Sequence, residues 1–240
     1  MTRLAPTQSS IDQLLANAAR AAEDVAAAIG ALSARQRVAA VPARSAAPAA
    51  RHTAPNARAL CAELVRWEGC CQHMYIDARG FVTTGIGHPL RNAEAALALP
   101  WRHRATGQPA TAAEIRAAFD RVRAQGSGHK VLSYRLASDL VLAPGVAGDL
   151  AIRRIERELL PGLQGLCPNF DRYPAPAQRA LVDMAYNLGI VGLGKFRKLL
   201  VACERGDFAT AADNCHRRTS RDTRNAAARN LFLDAANLSA

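Results

Sequence analysis

The chain has 240 residues and a formal net charge of +11, from 31 Lys and Arg against 20 Asp and Glu. Half of the residues are hydrophobic, which excludes a fully disordered protein, and we predict no membrane span because no apolar run approaches roughly 18–20 residues. Alanine is abundant and aromatic residues make up only 5% of the chain, which favours helix over sheet. The positive charge predicts attraction to polyanions without choosing among nucleic acid, anionic lipid and an acidic cell envelope.

The first 56 residues are predicted to form an extension that precedes the main domain. Residues 10–40 show helical spacing, although the apolar face of this helix would be mostly alanine. A linker rich in Pro, Ala and Arg follows over residues 41–55. The start of the chain lacks the apolar stretch of a secretory signal, so we expect synthesis in the cytoplasm without export by the general pathway. We therefore predict a helical or flexible extension over 1–56 and a single main domain over 57–240.

The main domain is predicted to be mainly helical, with one small β element near its start. An amphipathic helix ends at Gly69, and two short strands, at Tyr75–Asp77 and Phe81–Thr83, then flank a turn that contains Gly80. Capping and proline signals predict helices that begin near Thr111, Pro144 and Pro176, and shorter ones over 194–205, 207–217 and 221–236. The pattern predicts an α+β fold that is mainly α-helical.

The six cysteines are predicted to be thiols, because none lies in a C-x-x-C pair. One disulfide formed in an oxidising compartment is the alternative. His73, His88 and Cys70 are not spaced as metal ligands, so we expect no metal and no organic cofactor.

Two other features have ordinary interpretations. Residues 126–130 resemble a phosphate-binding loop but lack its preceding strand and its hydroxyl residue, so they are predicted to form a plain loop. Paired arginines such as Arg153 and Arg154 are predicted to lie on solvated helix faces, with attraction to murein or to a membrane surface as the functional alternative.

Two acidic residues and a threonine lie near one another in the elements that open the main domain. Glu68 ends the first helix beside Trp67, Asp77 follows on the first arm of the hairpin, and Thr83 lies on the second arm. Folding the hairpin against the helix end would place two carboxyl groups and a hydroxyl around one cleft. Glycosidic hydrolysis needs such a pair, because a carboxylic acid protonates the leaving oxygen while a carboxylate handles the attacking water. A glutamate beside an indole suits the acid, and an aspartate on an exposed turn suits the base.

The spacing of these residues resembles that of the phage-type lysozymes, which form glycoside hydrolase family 24. The matching positions run without a gap through Glu68-Gly69, Tyr75-x-Asp77 and Gly80-x-x-Thr83-x-Gly85-x-Gly87-His88. Residues 178–189 are similar to the central helix of that family, and residues 224–229 are similar to its C-terminal helix. Residues 89–145 depart most from the family, and the insert over 101–107 is similar to that of pesticin-like secreted effectors.

The resemblance implies a lysozyme-like fold in which a small β-hairpin lobe faces a helical lobe across a cleft. It implies that Glu68 is the general acid, that Asp77 holds or activates the nucleophilic water, and that Thr83 helps to place that water. The implied substrate is the β-1,4 bond between N-acetylmuramic acid and N-acetylglucosamine in bacterial peptidoglycan. The family inverts the anomeric centre, which implies a separation of roughly 6.5–9.5 Å between the two carboxyl groups.

Three further residues are expected on the substrate side of the site. Tyr75 would line the cleft, and Asn187 would face it from the helical lobe. His88 would belong to the polar network that supports Asp77 and the hairpin.

Two other functions stay open at this point. The first is a degenerate lysozyme fold that binds peptidoglycan or a protein without catalysis, and the second is an Arg-rich nucleic-acid binder, for which the sequence has no recognition motif. We expect a monomer with no specific nucleic-acid partner.

The biological setting is either a phage endolysin or a secreted antibacterial effector. In both settings the chain would act in the periplasm or on the cell wall, after membrane permeabilisation or dedicated secretion. An effector would bind secretion machinery through residues 1–56, or would have an immunity protein as its partner.

Overall fold

The computed structural model of the protein describes residues 56–218 and 220–239. The helix predicted over residues 10–40 and the linker over 41–55 lie outside the described residues, so the domain boundary near residue 57 stays a prediction. The strands are β1 (Cys71–Ile76), β2 (Val82–Gly85), β3 (His88–Leu90), β4 (Trp101–His103) and β5 (Leu140–Leu142). The α-helices are α1 (Ala57–Glu68), α2 (Ala93–Leu97), α3 (Ala112–Gln125), α4 (Val146–Arg154), α5 (Leu160–Leu166), α6 (Ala175–Leu193), α7 (Arg197–Glu204), α8 (Phe208–Asp213) and α9 (Asp222–Ser239). Two 3₁₀ segments (Val131–Leu136 and Phe170–Arg172) and a π-helical segment (Ile155–Leu159) complete the described elements.

Strands β1, β2 and β3 form an antiparallel sheet in that order. Tyr75 pairs with Thr83, and Ile76 pairs with Val82 on the opposite face. Ile76 and Val82 are buried in a hydrophobic core that also contains Met74. Because side chains alternate along a strand, Tyr75 and Thr83 lie on the face opposite Ile76 and Val82. The pairing register therefore places the candidate site residues of the hairpin on one face.

The buried apolar residues form two clusters. One lies under the sheet and includes Trp101 and Phe119. The other lies among the helices and includes Leu64 of α1, Leu181 of α6 and Phe232 of α9. Helix α1 thus packs with the helical lobe while the strand after it packs with the β lobe, and Glu68 lies at the junction of the two.

The structure confirms the predicted fold class, an α+β fold that is mainly helical, with a small β lobe and a helical lobe. The capping box of Thr111 and Glu114 is present at the start of α3, as predicted. Helix α6 begins at the predicted position, and Gly189, with a non-helical φ of +74° and ψ of 163°, ends its first part as predicted; a second short helical part then continues to Leu193. Within the described residues, no helix is long and apolar enough to cross a membrane.

The buried stripe of α1 consists of Ala57, Leu60, Cys61 and Leu64, and Val65 is exposed. Strands β3, β4 and β5 were not predicted, because three residues are too few to show an alternating pattern. All six cysteines are free thiols in the structure, as expected.

Candidate active site

Glu68 is the last residue of α1, which ends at Gly69. Its carboxyl group lies beside the turn between β2 and β3, since a Cβ atom at Gly87 would be 3.7 Å from Glu68 Oε2. Gly87 has φ of +64°, a conformation that L side chains rarely adopt. The glycine pattern of this turn therefore brings backbone close to one carboxyl oxygen of Glu68 without covering it with a side chain.

The other carboxyl oxygen of Glu68 accepts a hydrogen bond from Arg224 of α9. Arg224 Nη1 lies 2.8 Å from Glu68 Oε1. The partner of Glu68 is thus a guanidinium rather than the expected indole of Trp67, which lines a small cavity together with Asp183 and residues of α9. This contact joins residues 156 positions apart in the chain.

Arg224 is itself held by a chain of charged groups in the helical lobe. Its Nε and Nη2 atoms donate to Asp183 Oδ1 at 2.9 and 2.7 Å. The second oxygen of Asp183 accepts from Arg217 Nη1 at 2.8 Å, and the Arg217 side chain is completely buried. Asn225 Oδ1 completes this network by accepting hydrogen bonds from the backbone N–H and from Nε of Arg217. These hydrogen bonds fix the direction in which Arg224 points toward Glu68.

Asp77 lies at the tip of the β1–β2 hairpin. Its Oδ1 atom accepts hydrogen bonds from the backbone N–H groups of Arg79 and Phe81, both at 2.9 Å. Its Oδ2 atom lies 3.6 Å from Arg79 Nε, and the Arg79 side chain is exposed. One oxygen of Asp77 is therefore fixed by the turn, and the other has only a loose, solvent-exposed partner among the described residues.

Thr83 is almost completely buried on β2. Its hydroxyl donates to the carbonyl oxygen of Phe81 at 3.0 Å. Because that bond uses the hydroxyl proton, Thr83 Oγ1 is left to accept a hydrogen bond and not to donate one.

Tyr75 lies on β1 and pairs with Thr83 of β2. Burial raises the pKa of the Tyr75 hydroxyl above its ordinary value, and the nearby charges of Asp77 and Glu68 raise it further. Strand pairing brings Tyr75 and Thr83 together, and Glu68 lies beside the turn that follows β2. The shared catalytic role of Glu68, Asp77 and Thr83 stays a prediction.

Tyr186 of α6 faces the same region from the helical lobe. Its hydroxyl donates to the backbone carbonyl of Ile86, in the turn beside Glu68. Burial raises the pKa of Tyr186 to about 12, with the Arg154 guanidinium lowering it and Glu68 raising it. The Arg154 guanidinium carbon lies 4.4 Å from the centroid of the Tyr186 ring. Tyr186 thus ties the glycine turn to the helical lobe, a role that the sequence analysis did not assign.

Asn187 follows Tyr186 and lies two residues before the kink in α6. Its Oδ1 atom is buried and has no hydrogen-bond partner among the described residues. Buried polar atoms are normally paired, and Asn187 Oδ1 and Gln178 Oε1 are the exceptions among the described side chains.

His88 begins β3 and lies near charged groups of α4 and the π-helical segment rather than at Asp77. Burial lowers the pKa of His88 below its ordinary value of 6.5, and Arg154 and Arg153 lower it further while Glu158 raises it. The described hydrogen bonds of Asp77 come from its own turn. No contact among the described residues therefore supports the expected role of His88 in holding Asp77.

The lowered pKa of His88 predicts that acid destabilises the protein. Below about pH 6.5 the unfolded chain binds a proton at this histidine that the folded chain does not bind, so the free energy of unfolding should fall as the pH drops. His88→Gln removes the titrating group and should make this fall smaller, although buried His73, whose pKa is lowered too, contributes with the same sign. Urea unfolding between about pH 5 and 8 measures both slopes. Equal slopes for the variant and the natural chain would contradict the assignment.

Comparisons with known proteins give no family assignment. No protein-family model matches the chain, and no curated protein sequence matches it. Among solved structures, the chain is similar to a mutant of P22 lysozyme, with 16% sequence identity, a TM-score of 0.45, and coverage of 73% of this chain and 95% of that chain.

Proposed function

We propose that the protein is a glycoside hydrolase, an N-acetylmuramidase that cleaves the β-1,4 bond between N-acetylmuramic acid and N-acetylglucosamine in bacterial peptidoglycan. The observation that carries the proposal is geometric: Glu68, at the end of α1, lies beside the β2–β3 turn of the same sheet whose β1–β2 hairpin holds Asp77. Two carboxyl groups at one site, one on each side of a sugar bond, are the minimum that glycosidic hydrolysis requires. The spacing resemblance to phage-type lysozymes supports the choice of peptidoglycan.

Glu68 is the proposed general acid. Arg224 occupies Glu68 Oε1, which leaves Oε2, beside Gly87, to carry the proton. As the bond between the anomeric carbon and the bridging oxygen breaks, that proton moves to the leaving oxygen. The carboxylate that forms is stabilised by the guanidinium already in place, without further rearrangement.

Asp77 is the proposed base in an inverting reaction. A water molecule attacks the anomeric carbon and gives up its proton to Asp77 Oδ2, since Oδ1 already accepts two backbone hydrogen bonds. Thr83 Oγ1 accepts the second proton of that water as a hydrogen bond and so sets its orientation. Tyr75 is the proposed lining of the cleft, and the unpaired Oδ1 atom of Asn187 is the proposed acceptor of a hydrogen bond from the sugar. His88, near Arg153 and Arg154, has no part in the bond-breaking step of this proposal.

The proposal is tested with the full chain on purified, dye-labelled peptidoglycan. We expect release of soluble dye, new reducing ends at N-acetylmuramic acid, and the α-anomer as the first product in proton NMR. A β-anomer would instead indicate a covalent intermediate and would remove the base role of Asp77. Binding to peptidoglycan without any release would favour the second candidate, a degenerate lysozyme fold.

A further inference from the structure

The 3₁₀ segment Val131–Leu136 exposes an unusual amount of apolar surface. Leu132 is 68% exposed and Leu136 is 91% exposed, and Val131 beside them is partly exposed. A single exposed leucine is ordinary on a protein surface. Three large apolar side chains within six residues form a patch, and such patches mark sites of interaction.

The backbone that presents this patch is fixed to the domain at two points. Tyr134 is completely buried, and its hydroxyl donates to the Gly126 carbonyl at 2.7 Å. The His73 ring nitrogen Nε2 lies 2.9 Å from the Val131 carbonyl oxygen and joins the segment to β1. The segment therefore turns one aromatic side chain into the core and directs its leucines outward.

The chain segment that carries the patch is basic, although Glu114 and Asp139 lie near Arg121. Residues 121–138 contain no Asp or Glu, and their basic side chains are Arg121, Arg123, His129, Lys130 and Arg135. Arg121 donates to the backbone carbonyl of Ala137, and Arg104 donates to that of Ser138, which places two guanidiniums at the end of the segment. The nearest acidic residue after the segment, Asp139, lies 3.9 Å from His103.

We propose that this apolar patch, together with the basic residues His129, Lys130 and Arg135 beside it, docks on the surface of an anionic lipid bilayer. Leu132 and Leu136 would enter the headgroup region, and the basic side chains around them would contact lipid phosphates. Two other partners for the patch would be residues 1–55 of this chain and a second copy of the chain, and the charge of each argues against it. Residues 1–55 contain six arginines and three acidic residues, and a second copy of the chain carries the same charge of +11, so both would be repelled by a basic patch.

The test is sedimentation of the full chain with lipid vesicles at about 0.1 M salt. Vesicles of equal parts phosphatidylglycerol and phosphatidylcholine should bind the protein, and vesicles of phosphatidylcholine alone should bind it at least about ten-fold more weakly. The double variant Leu132→Ser, Leu136→Ser should lower binding to the anionic vesicles about ten-fold. Lys130→Ala with Arg135→Ala should lower it by a similar factor.

The matched control is Val191→Ser with Leu238→Ser, which removes two apolar side chains, 68% and 70% exposed, from other parts of the surface. This control should bind anionic vesicles within about two-fold of the natural chain. Equal binding by the Leu132, Leu136 variant and the natural chain would overturn the proposal. Attachment would then be due to net charge alone, which would attract the protein to any polyanion, including nucleic acid and murein. Failure of the natural chain to bind anionic vesicles would overturn it too. Neither outcome depends on peptidoglycan hydrolysis.

Discussion

Glu68→Gln is expected to lower the rate of peptidoglycan hydrolysis by about 10²–10⁴-fold while the protein stays folded. The amide has almost the same shape as the acid, and its oxygen can still accept the hydrogen bond that Arg224 Nη1 donates to Glu68 Oε1. It has no acidic proton to give to the leaving oxygen, so bond cleavage loses its general acid. Dye release from labelled peptidoglycan measures the rate.

Glu63→Gln provides a matched control on the same helix. Glu63 also pairs with an arginine, Arg179, at 3.0 Å, but that pair is exposed. The control should keep its hydrolysis rate within about two-fold, since an exposed pair contributes about 1 kcal/mol or less. Thermal unfolding of both variants shows that the fold persists. Activity of the Glu68→Gln variant equal to that of the control would refute the assignment of the general acid.

The local part of the candidate site could be predicted from the sequence because its geometry depends on short-range rules. Glu68, Asp77 and Thr83 lie within sixteen consecutive positions that form a helix end and a hairpin. A helix end followed by a tight hairpin leaves few arrangements, and the alternation of side chains then assigns Thr83 and Tyr75 to one face.

The long-range part of the site could not be placed in the same way. Arg224 reaches Glu68 only because α9 packs along α6, and the spacing of residues so distant in the chain carries no information on their contact. One signal was available in α6, where Asp183 lies between Val182 and Met184 in a run of buried residues. A charged residue in such a position is rarely buried unless it is paired, and the abundant arginines of the tail were the available partners.

The same difference between local and long-range structure explains why the position of His88 in the chain was predictable but its neighbours were not. Its place after the glycine turn was predictable, but its neighbours Arg153 and Arg154 come from a helix whose packing the sequence does not determine. Proximity in sequence to Asp77 suggested a shared network, and the turn satisfies Asp77 with its own backbone instead. The effector or endolysin setting, the partners and the role of residues 1–56 stay predictions.

Asp183→Ala is expected to lower the free energy of unfolding by about 3–5 kcal/mol. Asp183 accepts hydrogen bonds from Arg217 at 2.8 Å and from Arg224 at 2.9 and 2.7 Å. Its loss leaves the completely buried guanidinium of Arg217 without a counter-charge, and an unpaired buried charge costs far more than the pair contributes. Urea unfolding at neutral pH measures the change.

The neighbouring variant Asp213→Ala separates this effect from the general loss of an ion pair. Asp213 pairs with Arg229 of the same helix α9 at 3.2 Å, but both side chains are exposed. Its removal should cost less than about 1 kcal/mol, because water replaces the lost partner. Asp183→Asn should fall between the two, since the amide keeps one oxygen for Arg224 but carries no charge for Arg217. If Asp183→Ala cost no more than Asp213→Ala, Arg217 would not depend on Asp183, and the charged chain would not be what directs Arg224 toward Glu68.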